Sequence, residues 1–447
     1  MVTVRSAVQR RLNAPAAVVL AFAATIALSA LLLSLPVAAE SGQRTPLLAA
    51  VFTATSAVCV TGLIVVDTST YFSTFGEVVL LGSIQVGGLG IMTLASLLGL
   101  LVFRRLGLRS RMTTAVETKA LGLGDVRRVL RSVLGFSLFF ESVAAVLLTL
   151  RWLTTYDEPL PRAAYLGVFH AVSAFNNAGF ALFSDSLIGF VDDPVISLVL
   201  CFAVIAGGLG FPVLYELRRE LGSPRSWTLH TRMVVWTTGA LLILGPVLLT
   251  TFEWSNTLAG LSVPAKLLAG FVLGVMPRTA GFNNIDYGQA EPATLLVTDI
   301  LMFIGGGPAG TAGGIKVTTF ALLAFVILAE VRGSPDVQVA GRRLPSAVMR
   351  QALTVALLGV GLVVTGTLLL LALSGLTLDV VLFEVISAFA TVGLSTGITA
   401  TLPASGQVLL IALMFLGRLG PITLASALAL RSRPTLYRLP EERPIVG

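Results

Sequence analysis

Charge is scarce in this sequence. Charged residues make up 12% of the chain, about half of the roughly 25% that is usual in soluble domains. Hydrophobic residues make up 55%, and the mean hydropathy is +0.91. So few charges could not cover so much apolar surface in water. The composition therefore excludes an ordinary soluble globule and predicts an all-α protein that crosses a membrane several times.

The residues that carry most enzyme and metal chemistry are also rare. The two cysteines, Cys59 and Cys201, lie in apolar runs, which argues against a disulfide framework. The two histidines, His170 and His230, lack the spacing of metal ligands. No catalytic triad or nucleotide-binding motif is recognisable, so we expect no enzymatic activity. Orientation signals explain the net charge of +7 more simply than nucleic-acid binding does.

What the sequence does contain is a phrase that occurs four times, at intervals of about 110 residues. Each copy ends in a glycine followed by a large apolar residue, with a phenylalanine 10 positions before the glycine. The glycines are Gly62, Gly179, Gly281 and Gly393. A Ser-Ala pair precedes the glycine in three copies, at Ser56, Ser173 and Ser387, but not in the third. Such regular self-similarity indicates internal repeats.

A short apolar segment of about 14 residues precedes each glycine, too short for the roughly 20 residues that cross a bilayer. We therefore predict four membrane–pore-loop–membrane repeats around one pseudo-fourfold pore. The repeats occupy residues 1–103, 104–217, 218–331 and 332–430, followed by a tail at 431–447. The pore loops lie at about 45–67, 162–185, 263–286 and 378–399.

Charge placement predicts the orientation of these repeats. Arginines and lysines cluster in the links between repeats and in the tail, whereas acidic residues such as Asp67, Asp185 and Asp286 flank the half-helices. By the positive-inside rule, the links and both termini are cytoplasmic and the half-helices enter from outside. All four repeats are then parallel, unlike the inverted repeats of many carriers. The first apolar run, 16–35, is long enough to span, so no cleavable signal peptide is predicted.

The four phrases are candidates for an ion filter. Irregular backbone at membrane depth can line a wet passage, and a ring of carbonyls can replace the water shell of a monovalent cation. Glycine suits such a loop because it accepts φ > 0. The predicted filter residues are Val60, Thr61, Gly62, Asn177, Ala178, Gly179, Thr279, Ala280, Gly281, Thr391, Val392 and Gly393. Plain helix caps would explain one such glycine, but not four with the same phenylalanine offset.

Three polar residues of these phrases have open roles. Asn176 and Asn177 either brace the loop by hydrogen bonds or coordinate the ion directly. Arg278 is the one charged residue in the phrases, and we expect it to point away from the axis.

A glycine-rich stretch interrupts the closing segment of the third repeat, 293–331, which is too long for one span. It comprises Gly305, Gly306, Gly307, Pro308, Ala309, Gly310, Thr311, Ala312, Gly313 and Gly314. Six glycines and one proline must break a helix. The stretch lacks the spacing of a nucleotide-binding loop, and a passive kink would need one glycine. We therefore predict a flexible loop at the inner end of the pore.

Two cations and several carboxylates lie at membrane depth. Arg418 lies in the middle of the last apolar segment, where a charge must face water or a partner. It either forms an electrostatic barrier in the pore or pairs with an acid such as Glu384 or Glu141. Lys316, just after the glycine-rich stretch, either reaches the cytoplasmic surface or belongs to a gate. Glu77, Glu141, Asp299 and Glu384 are either functional or brace helices against one another.

The stretch from Phe52 to Asp67 resembles the first pore loop of the Trk/Ktr/HKT potassium-transporter superfamily, and of its KtrB-type membrane subunits in particular. The resemblance covers nearly the whole chain, including the closing residues 441–447. It implies K⁺ uptake through one pore in the bacterial plasma membrane. It also implies that the four glycines belong to the filter, that 305–314 is an intramembrane gate, and that Arg418 points into the pore. The chain departs from the family's usual first pore-loop sequence at Cys59, where threonine is common.

The resemblance further implies partners. It predicts a membrane homodimer, surrounded by lipids, on a separate cytosolic ring of KtrA-type subunits that bind ATP or ADP. K⁺ is then the transported ion, Na⁺ is a candidate activator, and no organic cofactor is expected in this chain. The alternative function is an ion-coupled carrier with alternating access, but four like-oriented half-helices favour a pore.

Overall fold

The computed structural model describes residues 2–110 and 123–430. The first two repeats contain α1 (Val2–Leu33), α2 (Leu47–Val58), α3 (Thr68–Tyr71), α4 (Thr74–Ser110), α5 (Leu123–Thr155), α6 (Leu160–Phe175), α7 (Pro194–Leu209) and α8 (Phe211–Glu220). The other two contain α9 (Leu229–Glu253), α10 (Val263–Val275), α11 (Pro292–Phe303), α12 (Val317–Val331), α13 (Ser346–Ser374), α14 (Leu378–Ala390) and α15 (Ala404–Leu430). The predicted tail, 431–447, and residues 111–122 of the first link lie outside the described residues.

The half-helices α2, α6, α10 and α14 are 12, 16, 13 and 13 residues long. At 1.5 Å per residue, each reaches only partway through a hydrocarbon layer about 30 Å thick. Proline stands in the first turn of α6 and of α10, where its missing N–H costs the helix nothing. Each half-helix ends within a few residues of one of the four repeated glycines.

Four helices of the described chain are long and apolar enough to cross a membrane: α4 (over Thr74–Ser96), α5 (over Val129–Thr155), α9 and α13. The bent pair α7 and α8 would provide a fifth crossing. The described apolar parts of α1 and α15, Val18–Leu33 and Ala404–Gly420, are shorter, as are α11 and α12 on either side of the glycine-rich loop.

The interior is packed around the half-helices. The phenylalanines that precede the glycines, Phe52, Phe169 and Phe383, are fully buried, whereas Phe271 is partly buried. Small residues allow the long helices to approach the half-helices. A Cβ on Gly87 of α4 would overlap the carbonyl of Val58. The core therefore surrounds the ends of the four half-helices.

The apolar run that closes the second repeat, 194–217, would pass for one continuous helix in the sequence, but the structure breaks it in two. α7 and α8 meet at Gly210 with a bend of 102°. Gly210 has a φ of 92°, a conformation that costs glycine little. A Cβ at this position would lie less than 3.0 Å from the carbonyl oxygen of Pro308. The chain turns here because the backbone of the glycine-rich loop occupies the adjacent space.

A second feature that the sequence did not predict is a small antiparallel hairpin in the third link. β1 (Gln338–Val339) pairs with β2 (Arg342–Arg343). Val337, Val339 and Leu344 are buried in a cluster that includes residues of α9 and α12. The hairpin thus packs against the helices that flank this link.

Candidate ion-conduction site

The four repeated glycines form a closed ring. A Cβ built on each would lie less than 3.0 Å from a backbone carbonyl oxygen of the next repeat. The pairs are Gly62 with Ala178, Gly179 with Ala280, Gly281 with Val392, and Gly393 with Thr61. Since the last pair returns to the first repeat, the four loops surround one axis. The carbonyl oxygen before each glycine therefore lies beside the glycine of a neighbouring loop.

The residue two positions before each glycine has a left-handed backbone. The φ values are 56° at Val60, 58° at Asn177, 70° at Thr279 and 51° at Thr391. Three of these residues are β-branched, for which φ > 0 is a genuine outlier. Such a conformation costs on the order of 1–3 kcal/mol and persists only where the surroundings impose it. The same outlier in all four loops indicates one shared loop geometry.

Serine hydroxyls hold three of the loops in this geometry. The amide of Gly62 donates to Ser56 Oγ over 3.0 Å, and that of Gly393 donates to Ser387 Oγ over 3.1 Å. In the second loop Ser173 donates to the carbonyl of Phe180 over 2.8 Å. The serines of the three Ser-Ala pairs therefore hold the backbone of these loops by hydrogen bonds.

The third loop is held differently, because Val275 replaces the serine. The amide of Gly281 donates to the Met276 carbonyl over 3.3 Å. The side chain of Arg278 is buried and donates from Nη2 to Thr238 Oγ1 of α9 over 3.3 Å, which places its charge at the interface with that helix. A small cavity lined by Thr238, Ile205 and Leu242 adjoins it.

The glycine-rich loop packs against the end of α7. The amide of Gly307 donates to the Gly208 carbonyl over 2.7 Å, and the amide of Thr311 donates to the Gly207 carbonyl over 3.1 Å. A Cβ on Gly307 would lie less than 3.0 Å from the Leu209 carbonyl oxygen. Backbone meets backbone here, which is why glycine is required on both sides.

The same loop touches the predicted filter loops. The amide of Gly313 donates to Thr279 Oγ1 over 3.2 Å. The hydroxyl of Thr311 donates to the Phe175 carbonyl over 3.1 Å and lies 2.9 Å from the side-chain amide of Asn177. Thr279 and Asn177 are the left-handed residues of their loops. The glycine-rich loop thus contacts the second and third of the four loops.

Two cations hold adjacent carbonyls of the glycine-rich loop. Arg418, 3% exposed, donates from Nη1 to the Thr311 carbonyl over 2.6 Å. Lys316 donates from Nζ to the Ala312 carbonyl, also over 2.6 Å. Among the described residues, Nε and Nη2 of Arg418 have no hydrogen-bond partner. Both side chains therefore turn toward the loop.

The alternative pairing of Arg418 with Glu384 or Glu141 is not what the structure contains. The Glu384 carboxylate accepts from Ser395 and from Thr399, beyond the fourth filter glycine. Glu141 accepts from Ser137, Gln85 and Asn176. Both carboxylates brace the backs of the pore loops.

The other two carboxylates at membrane depth, those of Glu77 and Asp299, differ in their hydrogen bonds. Glu77 accepts a hydrogen bond from the Tyr165 hydroxyl, so it braces α4 against α6. Asp299 in α11 is buried, and its Oδ1 has no hydrogen-bond partner in the described chain.

Sequence reasoning missed the glycines outside the repeated phrase that allow the site to close. Gly207 and Gly210 admit the glycine-rich loop, and Gly417, next to Arg418, lets α15 approach the carbonyl of Phe389. The run Ala206-Gly207-Gly208-Leu209-Gly210 was a visible signal, because three glycines near the end of an apolar helix are unusual.

Together these features define a class of protein: a multi-pass helical membrane protein in which the loops of four like repeats meet in one ring. A family model described as a cation transport protein, TrkH, matches residues 4–433. The chain belongs to this TrkH family of cation transport proteins. The predicted superfamily is confirmed, and the family is one of transport proteins rather than enzymes.

Relatives match along almost their whole length. The chain is 37% identical to the Ktr system potassium uptake protein B of Bacillus subtilis (strain 168), over 98% of this chain and 97% of the relative. It is 38% identical to the protein of the same name from Vibrio alginolyticus, over 97% and 95%.

The fold also matches a solved structure. The potassium transporter TrkH from Vibrio parahaemolyticus superposes with a TM-score of 0.71, covering 91% of this chain and 83% of that chain. At 19% identity, this likeness concerns the fold alone. It confirms the predicted fold class.

Proposed function

We propose that this chain takes up K⁺ across the bacterial plasma membrane, through a pore whose selectivity filter is the ring of four loops. The observation that carries the proposal is the closed cycle of contacts from Gly62 through Gly179 and Gly281 to Gly393 and back. The names of the two relatives, potassium uptake proteins, support K⁺ as the ion.

The chemistry of the ring suits a monovalent cation. Backbone carbonyl oxygens can replace the hydration shell of the ion without binding it too tightly to leave. The half-helices end at the ring, so the partial negative charge of each C-terminus lies close to it. The twelve filter residues carry no charged side chain. Coordination therefore falls to the backbone.

The glycine-rich loop, residues 305–314, is proposed as the gate. It is held by hydrogen bonds to α7, to Thr279 and to Arg418, so a passage requires these bonds to break. Glycine lets such a loop rearrange at low steric cost. The fixed charge of Arg418 would also raise the energy of a cation resting beside the loop and speed its exit.

The assembly is part of the proposal. Two relatives are named as components of a Ktr system, which supports separate partner subunits. We infer a homodimer with both termini and the basic links in the cytoplasm, where a ring of ATP- or ADP-binding subunits would contact it. Opening of the loop would then be controlled from the cytoplasmic side.

The test is Rb⁺ uptake into liposomes that contain this chain alone, with K⁺ loaded inside. K⁺ that leaves through a pore makes the inside of the liposome negative, and this membrane potential drives Rb⁺ inward. We expect external K⁺ to compete with Rb⁺ more strongly than external Na⁺ does. Uptake that appears only with a gradient of a second ion would instead support the alternating-access carrier. Equal competition by Na⁺ would contradict the proposed selectivity, and no uptake in either condition would contradict transport by this chain.

A further inference from the structure

A buried carboxylate lies behind the second pore loop and has no part in the proposed conduction path. Glu141 is in α5, within the span Val129–Thr155, and is 6% exposed. A carboxylate at this depth is costly and marks a functional site by default. No Lys or Arg of the described chain forms an ion pair with it.

In every hydrogen bond that Glu141 makes in the described structure, the carboxylate is the acceptor. Its Oε1 accepts from Ser137 Oγ over 2.7 Å, from Gln85 Nε2 over 3.0 Å and from Asn176 Nδ2 over 3.2 Å. Its Oε2 accepts a second bond from Gln85 Nε2 over 3.1 Å. An environment of donors stabilises the charged form of a carboxylate.

The Val172 carbonyl, which can only accept, determines which groups of this network are donors. Asn176 Nδ2 also donates to the Val172 carbonyl over 2.9 Å, which settles which end of that amide carries the hydrogens. The same nitrogen donates to Gln85 Oε1 over 2.8 Å, so Gln85 must turn its own nitrogen toward Glu141. Asn176 Nδ2 has two hydrogens and three acceptors, so its 3.2 Å contact with Glu141 is shared, and Gln85 provides the main link between Asn176 and Glu141.

This network is joined directly to the predicted filter. Asn176 is the C-cap of α6 and immediately precedes the filter residues Asn177, Ala178 and Gly179. On its other side, Asn176 is pressed against α4, because a Cβ on Gly88 would overlap its Oδ1. A shift of Glu141 would therefore move the start of the second loop.

We propose that Glu141 is an ionised positioning residue that anchors the second proposed filter loop through Gln85 and Asn176 and supplies the fixed negative charge that raises the cation affinity of the ring. The proposal rests on the proposed function. Only one of the four repeats is anchored in this way, since the residues equivalent to Asn176 are Cys59, Arg278 and Ala390. The filter is therefore fourfold in its backbone but not in its electrostatics.

The test uses the full-length chain in liposomes and separates the KM for Rb⁺ from the maximal rate. Glu141→Gln keeps the size of the side chain and removes the charge. We expect the KM to rise about tenfold, which corresponds to about 1.4 kcal/mol, with a smaller change in maximal rate. Glu77→Gln, which removes a buried carboxylate from the same helix as Gln85, should change the KM less than about twofold.

The outcomes are distinguishable. If the wild-type chain takes up no Rb⁺, the proposed function fails. If it does, and Glu141→Gln folds and binds Rb⁺ with an unchanged KM, only the role of Glu141 fails. Should Glu141→Gln not fold, Ser137→Ala and Gln85→Leu take its place. Each removes donors from the carboxylate and should raise the KM about threefold, and an unchanged KM in both would overturn the proposal.

Discussion

The guanidinium of Arg418 donates a hydrogen bond of 2.6 Å to the carbonyl oxygen of Thr311, a residue 107 positions earlier in the chain. The bond joins the last helix of the fourth repeat to the glycine-rich loop of the third. Hydrogen bonds from charged groups contribute about 1.5–3 kcal/mol to stability. They are electrostatically stronger in a protein interior, where the dielectric constant is low. This bond therefore holds the loop across the ring.

Replacing Arg418 with glutamine should release the loop. Losing about 1.5–3 kcal/mol of stabilisation would raise the open population about tenfold or more. We expect Rb⁺ flux through the chain alone to rise about tenfold. The matched control is Arg332→Gln at the exposed end of α12, which should leave flux unchanged. An Arg418→Gln protein that is folded and conducts like the wild type would refute this role.

A methyl group on the ring should close or distort it. In Gly281→Ala the new Cβ would lie less than 3.0 Å from the Val392 carbonyl oxygen, on a backbone with φ of 74°. We expect Rb⁺ uptake to fall at least about tenfold, because the neighbouring carbonyl must move. Gly82→Ala in α4 is the control, since a Cβ built there meets no described atom within 4 Å beyond its own turns of the helix. That substitution should retain full uptake and stabilise α4 by up to about 1 kcal/mol.

Removing a serine hydroxyl should loosen one filter loop without blocking it. Ser387→Ala leaves the amide of Gly393 without its acceptor, at a cost of about 1–3 kcal/mol. We expect the preference for Rb⁺ over Na⁺ in competition assays to fall several-fold while uptake persists. Ser374→Ala removes a hydroxyl that bonds only to the Leu370 carbonyl and the Leu376 amide, at and just after the end of α13, and should leave the preference intact. Equal selectivity in the two variants would contradict the role of Ser387.

The N-terminal end of α7 should show a pH-dependent stability. Burial raises the pKa of Asp193, but hydrogen bonds from Arg151, Tyr156 and two backbone amides outweigh burial and hold that pKa below its ordinary value of 3.8. A depressed carboxyl pKa stabilises the fold above the unfolded value, and the contribution is lost as pH falls through the folded pKa.

Asp193→Asn keeps the helix cap but loses the ion pair with Arg151, whose nitrogen lies 2.8 Å from the carboxylate. In detergent, its melting temperature should lie below that of the wild type by the same amount from about pH 7 to pH 5, and the difference should shrink below about pH 4. Asp193→Ala should be less stable by about a further 1 kcal/mol because the cap is lost too. A constant difference down to pH 3 would mean that the charge contributes nothing.

The repeated phrase made much of this architecture predictable. Each half-helix, its glycine and its phenylalanine follow from local spacing, and the break at residues 305–314 follows from six glycines and a proline. The bend at Gly210 did not follow, because it depends on the backbone of Pro308, about 100 residues away. The left-handed Val60, Thr279 and Thr391 could not be predicted either, since β-branched residues disfavour that conformation and only the neighbouring loops impose it.

The sequence by itself determined that this chain lies in a membrane, that it repeats four times, and where each repeat is interrupted. Composition and periodicity are local properties, and they decide what a segment can bury and where a helix must stop. Only the tertiary structure decided which atoms meet: the carbonyl beside each glycine, the partner of Arg418, and the contact of Asn176 with Gln85 and Glu141. Those contacts join residues that are far apart in the chain, and no local pattern encodes the distance between them.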